Sequence, residues 1–197
     1  SAASDVYKRQ ELMEEGRMTV DGTTYELPQP FFVIATQNPF GSAGTQLLPD
    51  SQLDRFMTRL SLGYPSVNDE VAIMKTRQII NPLESVQAIL SPEDILKFQK
   101  EIDQIFISDE IYYYIAALID ATRHHELIAQ GASPRGSLAL MKLSKANAFM
   151  HGRDYVIPDD VKAVAIMTLA HRLILNYDAK IKETSAEAII TDILERI

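Results

Sequence analysis

The sequence predicts a short α/β segment followed by an all-helical region, with helix predominating overall. Two observations predict this fold class. An Asp-Gly hairpin signal precedes five apolar residues, Phe31–Ala35, and such a run is typical of a strand buried on both faces of a parallel sheet. After about residue 65 the apolar residues recur with helical spacing. We therefore expect a tail at 1–10, an α/β segment at 11–65, a linker helix at 66–84 and a helical domain at 85–197.

The α/β segment begins with local signals for a helix end and a hairpin. Glu11–Glu15 is expected to end a helix that Gly16 stops. Arg17–Val20 and Thr23–Leu27 are β-prone runs on either side of Asp21-Gly22. Asp-Gly favours a type I′ turn, because both central residues of that turn need positive φ.

The buried strand and the residues after it suggest one side of a ligand crevice. Thr36–Pro39 are small polar residues followed by a helix breaker, and residues just past the carboxyl end of such a strand face the crevice where ligands bind. A parallel strand needs partners on both sides, so we expect partner strands encoded upstream. A short helix is expected from Pro49-Asp50 through Arg55, and a short strand at Ser61–Tyr64.

Serine and proline mark the starts of several helices in the second region. Ser91-Pro92 and Ser133-Pro134 each combine an N-cap residue with proline at the first helical position. Helices are expected at Asp69–Ile79, from Ser91 through Ile102, from Ser108 through Thr122, from Ser133 to Met150, from Pro158 to about Leu175, and from Ser185 to Arg196.

Composition limits the classes of function. The chain has 197 residues, no cysteine and a net charge of −8. Disulfides and thiolate metal sites are excluded, and the acidic balance disfavours nucleic-acid binding. No apolar run reaches the roughly 18 residues of a membrane helix and no secretory signal is evident, so we expect no membrane span and a cytoplasmic protein.

Asn38 and Arg55 are the first candidate site residues. The neutral amide of Asn38 can orient a water or hold a phosphate oxygen, although Asn38-Pro39 can instead simply begin a turn. The guanidinium of Arg55 suits phosphate oxygens, although it can instead pair with Asp54 or Asp50. Arg59 can share either role.

Arg135 is the third candidate, and it lies two residues after a Ser-Pro helix start. The positive end of the macrodipole disfavours a cation there. An anion docked on the arginine and the free N–H groups would explain its position, whereas a solvated surface arginine is the alternative.

Other chemistries lack their sequence signals. His124, His125, His151 and His171 lack metal-ligand spacing, so we expect structural roles for them and no metal site. The phosphate-binding pattern G-x-x-x-x-G-K-[ST] is absent from the sequence, as is an apolar run ending in paired acids that would hold Mg²⁺.

In combination, these residues and the segments around them resemble the MoxR family of AAA+ ATPases from about Glu11 to the C-terminus. MEEGRMTVDGTTYELPQPFFVIATQNP is similar to the family's hairpin and sensor-1 strand, and LPDSQLDRFMTRLSLGYP to its arginine-finger segment. GASPRGSLAL is similar to the sensor-2 helix start, and HGRDYVIPDDVKAVAIMTLAHRLIL to the helical lid. The resemblance implies the remnant of a P-loop AAA+ core followed by a helical lid domain.

The resemblance also implies roles and partners. Asn38 would be sensor 1 and polarise the attacking water, Arg55 would be the finger that reaches a neighbouring subunit's site, and Arg135 would read the γ-phosphate in cis. The full-length protein would use ATP and Mg²⁺, the Mg²⁺ ligands lying outside this chain. It would form a homo-oligomeric ring, a hexamer by family analogy, and remodel or activate partner proteins, including proteins with a von Willebrand factor A domain.

The chain departs from the family pattern in two respects. The Walker A and Walker B segments are missing and residues 1–10 do not continue the pattern, so we expect a fragment with an unrelated tail that does not hydrolyse ATP alone. Asp50 stands where the family commonly has glutamate. The alternative function is a non-catalytic helical protein-interaction module, and a DNA-binding function is disfavoured by the net charge of −8.

Overall fold

A β-hairpin contains the first strands of the computed structural model, which describes residues 12–13, 15–37, 48–77 and 81–197. Strand β1 (Arg17–Val20) pairs antiparallel with β2 (Thr23–Glu26). Asp21 and Gly22, which join the strands, have φ values of 50° and 80°. The predicted hairpin, with both central turn residues at positive φ, is therefore confirmed.

The segment predicted as a buried strand differs from that prediction. Residues 31–37 form neither strand nor helix, and Ile34 is 89% exposed. A parallel strand exists only when neighbouring strands accept and donate its backbone hydrogen bonds. The sheets among the described residues pair only β1 with β2, and Ile128–Gln130 with Ile174–Leu175. The Ser61–Tyr64 segment, also predicted as a strand, is irregular and exposed for the same reason.

Between the hairpin and residue 91, the described residues form two α-helices and a 3₁₀ turn at Pro82–Ser85. The short helix α1 (Asp50–Leu53) continues as hydrogen-bonded turns to Phe56. Helix α2 (Val67–Arg77) starts two residues before the predicted position, because Ser66 and Asp69 cap it: the Asp69 amide donates to Ser66 Oγ at 3.2 Å. Side chains 67–76 of α2 are exposed, and residues 78–80 lie outside the described part of the chain.

The helical region contains six helices, two short strands and a 3₁₀ turn within residues 91–197. In chain order these elements are α3 (Pro92–Asp103), α4 (Asp109–His124), β3 (Ile128–Gln130), α5 (Pro134–Met150), α6 (Pro158–Leu169), the 3₁₀ turn Ala170–Arg172, β4 (Ile174–Leu175), α7 (Tyr177–Ile181) and α8 (Ala186–Arg196).

The predicted helix starts are confirmed where serine caps them. Ser91 Oγ accepts from the Asp94 amide at 3.1 Å while Asp94 Oδ2 accepts from the Ser91 amide at 2.8 Å, which is a complete capping box. Ser133 caps α5 by accepting from the Arg135 amide. These caps form because the serine hydroxyl satisfies an N–H group that the helix leaves without a partner.

The end of α6 corrects the sequence prediction. The helix was expected to reach about Leu175, but it ends at Leu169. The chain then forms the 3₁₀ turn and β4, which pairs antiparallel with β3. Hydrogen bonds from the turn to distant residues outweigh the local helical pattern, so the region predicted to be all-helical also holds a small two-stranded sheet.

The hydrophobic core lies in the helical region. Its buried residues run from Ile105 to Ile193. Helix α5 is central and packs against α3, α4 and α6, while α8 covers α4 and α6. No helix among the described residues combines the length and apolar character needed to span a bilayer. The α/β segment meets this core through the turn after α1, and a cleft lies at that junction.

Candidate functional site

A cleft of about 390 Å³ lies between the α1 turn and the helical region. Both parts of the chain contribute charged residues to its walls. The lining residues are Asp50, Ser51, Asp54 and Arg55 from the first part, and Gln130, Gly131, Ser133, Arg135, His171, Arg172 and Ile174 from the second. The cleft thus brings together two of the three site residues predicted from the sequence.

Arg55 and Arg135 are electrostatically coupled across this cleft. Burial lowers the pKa of the Arg55 guanidinium, and the positive charge of Arg135 lowers it further. Arg55 is half-buried, while Arg135 is exposed at the start of α5. Two like charges held within reach of each other disfavour one another in the absence of an anion. The positive charge on this part of the cleft therefore favours anions.

The two remaining predicted positions are not among the described residues that line the cleft. Asn38 lies outside the described residues. Arg59 is exposed and is not among the described residues that line the cleft. The backbone amide of Arg59 instead donates to Met167 O at 2.9 Å, which adds a link between the α1 turn and α6.

Arg172 is the most buried charged side chain of the cleft, and sequence reasoning did not select it. Its side chain is 2% exposed and pairs with Asp54, whose side chain is 25% exposed, at 2.7 Å between Nη1 and Oδ1. Nη1 also donates to the Asp54 carbonyl, and Nη2 donates to the Phe56 carbonyl at 2.7 Å. Nε donates to Thr168 O at 2.8 Å. One guanidinium therefore joins the end of α6 to both neighbours of Arg55.

Ser133 connects the same carboxylate to the start of α5. Its hydroxyl donates to Asp54 Oδ2 at 2.9 Å and Oδ1 at 3.2 Å. The oxygen of that hydroxyl also accepts from the Arg135 amide at 3.2 Å. Asp54, the neighbour of Arg55 in the turn after α1, is thus hydrogen-bonded both to Arg172 at the end of α6 and to Ser133, which caps the helix that carries Arg135.

His171 is buried beside Arg172, and the structural role expected for it stays a prediction. Nε2 lies 3.0 Å from the Phe56 carbonyl, so this nitrogen carries the proton and donates. Nδ1 is buried without a hydrogen-bond partner. Burial lowers the pKa of His171, and the charges of Arg172 and Arg59 lower it further against the opposing Phe56 bond. The imidazole is therefore neutral at pH 7.

Neither His171 nor Arg172 carries a distinctive sequence signal. A histidine and an arginine at the end of an apolar helix are also common because basic side chains interact favourably with the negative C-terminal end of a helix dipole. A hint lies in the sequence around Asp54, because Asp54 and Arg55 stand as two charges between the large apolar residues Leu53 and Phe56. No three His, Asp or Glu residues in the described ranges come together to hold a metal ion.

Comparisons with known proteins match both parts of the chain. Residues 8–58 match a model of the "ATPase family associated with various cellular activities (AAA)", and residues 120–193 match an AAA lid domain model. This order agrees with the predicted partial core followed by a helical lid. The boundaries at residues 65 and 84 stay predictions.

Individual relatives cover nearly the whole chain. Protein YeaC of Bacillus subtilis is 44% identical over 95% of this chain and 58% of its own length. Chaperone MoxR1 of Mycobacterium tuberculosis is 38% identical over 95% of this chain and 52% of its own. A crystal structure of a proposed ATPase from Cytophaga hutchinsonii superposes with a TM-score of 0.87 at 40% identity, covering 95% of this chain and 59% of that one. The chain thus spans a little over half the length of these relatives.

Proposed function

Because the chain belongs to the MoxR family of AAA+ ATPases, we propose that it supplies the sensor and arginine-finger part of the nucleotide sites in an ATP-hydrolysing ring. The cleft that joins Arg55 to Arg135 is the observation that carries the proposal. It lies where the AAA segment meets the lid segment. When a terminal phosphate is cleaved, the nucleotide changes its charge; Arg135 would sense that change in its own subunit's nucleotide, and Arg55 in a neighbour's.

Arg135 binds the γ-phosphate of its own subunit's nucleotide in this proposal. It stands in the first turn of α5, a helix of 17 residues. The free N–H groups and the positive dipole end of such a helix favour an anion. Phosphate oxygens bound by Arg135 would also stabilise its positive charge beside the guanidinium of Arg55.

Arg55 acts as an arginine finger towards a neighbouring subunit. A guanidinium supplied in trans stabilises charge that develops on the transferred phosphoryl group, and such fingers contribute on the order of 10³ to 10⁵ in rate. Action in trans requires a closed assembly, so the proposal includes a homo-oligomeric ring, a hexamer by family analogy. The half-buried position of Arg55 in the turn after α1 holds its side chain in a restricted set of directions.

Asn38, ATP and Mg²⁺ complete the proposed site. Asn38 polarises the attacking water as sensor 1. The cleft suits a triphosphate because guanidinium groups and a helix N-terminus face it. The sequence contains no G-x-x-x-x-G-K-[ST] pattern, so groups outside this chain would hold Mg²⁺ and the chain alone would not turn over ATP.

Partner remodelling is the proposed use of the ATPase cycle. One relative is named a chaperone, and a chaperone-like activity that remodels or activates partner proteins in the cytoplasm is the family expectation. Proteins with a von Willebrand factor A domain are the proposed partners.

The test is ATP turnover by a protein that carries this chain joined to a P-loop segment. Arg55→Ala and Arg135→Ala are each expected to lower kcat by at least 10²-fold. Arg196→Ala is the matched control, because Arg196 is exposed and pairs with Asp192 on α8. Full turnover by Arg55→Ala in an assembled ring would contradict the finger assignment.

The competing function is a non-catalytic protein-interaction module. The exposed apolar side chains of residues 60–74, such as Leu62, Val67 and Met74, favour it. The two functions differ in one result: a non-catalytic module joined to the P-loop segment would add no ATP turnover to that of the segment alone, whereas the proposed ATPase would turn over ATP and lose that activity with Arg55→Ala.

A further inference from the structure

Arg55 is held from both sides by a single side chain. Arg172 donates to Asp54 Oδ1 at 2.7 Å and to the Asp54 carbonyl. It also donates to the Phe56 carbonyl at 2.7 Å, a bond that His171 Nε2 repeats at 3.0 Å. The residues immediately before and after Arg55 are therefore bonded to the turn that ends α6, so the backbone of Arg55 moves with the helical region.

The same Asp54 carboxylate is bonded to the element that carries Arg135. Ser133 Oγ donates to Asp54 Oδ2 at 2.9 Å and accepts from the Arg135 amide at 3.2 Å. A chain of hydrogen bonds thus runs from Arg172 through Asp54 and Ser133 to the Arg135 backbone. Each bond is within normal hydrogen-bond length. Of the residues in this chain of bonds, Arg172 is buried, and Asp54 and Ser133 are half-buried.

We propose that Asp54 and Arg172 are positioning residues that set the separation between Arg55 and Arg135, a function that rests on the proposed roles of those two arginines. The positive charges of the two guanidinium groups disfavour each other, and a restraint between the elements that carry them opposes their separation. The Arg172–Asp54–Ser133 chain is that restraint. Through it, any movement of the lid changes where Arg55 is presented.

Small residues around this junction support a close, fixed approach. A Cβ on Gly136, in the first turn of α5, would lie 3.4 Å from Arg172 Cδ and 3.2 Å from Ala132 Cβ. The guanidinium stem of Arg172 is thus already in contact with the start of α5. Arg172 therefore contacts both elements whose relative position it is proposed to fix.

A distance measurement tests the restraint without any ATPase assay. The chain has no cysteine, so Met57→Cys and Leu138→Cys, at positions 44% and 57% exposed, accept nitroxide labels specifically. Double electron–electron resonance should give one narrow distance distribution in this background. Arg172→Ala and Asp54→Ala should each broaden or shift it.

Matched controls separate positioning from loss of stability. Ser133→Ala removes a helix cap and the Asp54 bond, and should broaden the distribution. Ser185→Ala removes an equivalent cap, the bond from the Ala188 amide at 3.1 Å, and should leave the distribution narrow. If Arg172→Ala does not fold, the distance distributions of Asp54→Ala and Ser133→Ala decide whether the restraint exists. A wild-type distribution in every folded variant would overturn the proposal.

A kinetic arm uses the longer ATPase. Asp54→Ala should lower kcat at least tenfold with little change in KM for ATP, and should cost nothing further in an Arg55→Ala background. A structural defect alone would lower turnover in both backgrounds, which would contradict positioning. If Arg55→Ala itself keeps full turnover, the proposed function fails, while the spin-label distances still decide whether the restraint exists.

Discussion

Replacement of Asp160 by asparagine is expected to lower the free energy of unfolding by about 2 to 3 kcal/mol at pH 7. The Asp160 side chain is 1% exposed and accepts two hydrogen bonds from Arg153, at 2.5 and 2.6 Å. It also accepts from the Ile157 amide at 2.9 Å and from Asn147 Nδ2 at 2.8 Å. These four bonds join the start of α6 to α5 and to the loop between them.

The magnitude follows from the pKa of this carboxyl group. Burial raises the pKa of Asp160, but the bonds from Arg153, Ile157 and Asn147 outweigh burial and lower the pKa from 3.8 to about 2. A difference of nearly two units between unfolded and folded states corresponds to about 2 to 3 kcal/mol in favour of the ionised folded state. Asparagine keeps the shape and removes the charge.

The pH dependence has a definite sign. Because the folded pKa is depressed, the contribution is fully present above pH 3.8 and is lost as pH falls towards 2. About half of it should remain at pH 3. Urea unfolding followed by circular dichroism at pH 7, 4 and 3 measures the difference between wild type and Asp160→Asn.

Asp159 provides the matched control, because it lies in the same first turn and is exposed. Asp159→Asn should change stability by less than about 0.5 kcal/mol at every pH. A wild-type advantage over Asp160→Asn that stays constant from pH 7 to pH 3 would refute the assignment of the effect to the charge.

Three further predictions concern the junction. Arg172→Ala should cost about 3 kcal/mol in urea unfolding, because it removes the partner of the half-buried Asp54 carboxylate; a loss below about 1 kcal/mol would contradict this. Gly131→Ala should lower the midpoint of thermal unfolding, since its Cβ would lie 2.7 Å from the Arg123 backbone. An unchanged midpoint would contradict this, because it would mean that the backbone shifts at no cost in stability. Burial lowers the pKa of His171, so below pH 6.5 the unfolded chain takes up a proton that the folded chain does not, and wild type should lose stability by up to about 1.4 kcal/mol per pH unit as pH falls. His171→Gln should lack this dependence on pH. An identical slope in both proteins would contradict the prediction.

Local signals allowed much of the fold to be predicted. The Asp21-Gly22 turn and the Ser91 and Ser133 caps depend on groups within three residues of each other. Such interactions are encoded in the order of neighbouring residues, and the corresponding elements begin where they were expected. The fold class, a partial AAA+ core followed by a helical lid, agrees with the matches to both family models.

Features that depend on distant residues could not be predicted from the sequence. Helix α6 ends at Leu169 because His171 and Arg172 bond to residues 115 to 118 positions away. The apolar run at Phe31–Ala35 has the composition of a buried strand, but strand formation depends on neighbours that the described residues do not supply. The spacing of apolar residues along the chain carries no information about which distant residues bond to the turn after α6 or which strands would pair with Phe31–Ala35.

In the candidate site, too, local features could be predicted from the sequence and contacts between distant residues could not. Arg55 and Arg135 were selected from the sequence because a guanidinium in a turn and one at a helix N-terminus suit phosphate. Their placement on one cleft, and the Asp54–Arg172 pair that joins their elements, arise only in three dimensions. Asn38 stays a prediction, as do the catalytic roles of all three residues.

Mixed rings test most directly whether Arg55 acts on a neighbouring subunit's nucleotide. Subunits with Arg55→Ala are combined in equal amounts with subunits inactivated in the P-loop, each of which is expected to be inactive alone. Random assembly places an intact P-loop against an intact Arg55 at about a quarter of the interfaces, so ATP turnover should recover to about a quarter of wild type. Turnover that stays at the sum of the two separate variants would contradict action in trans, and would place Arg55 on the same nucleotide as Arg135, with which it shares a cleft.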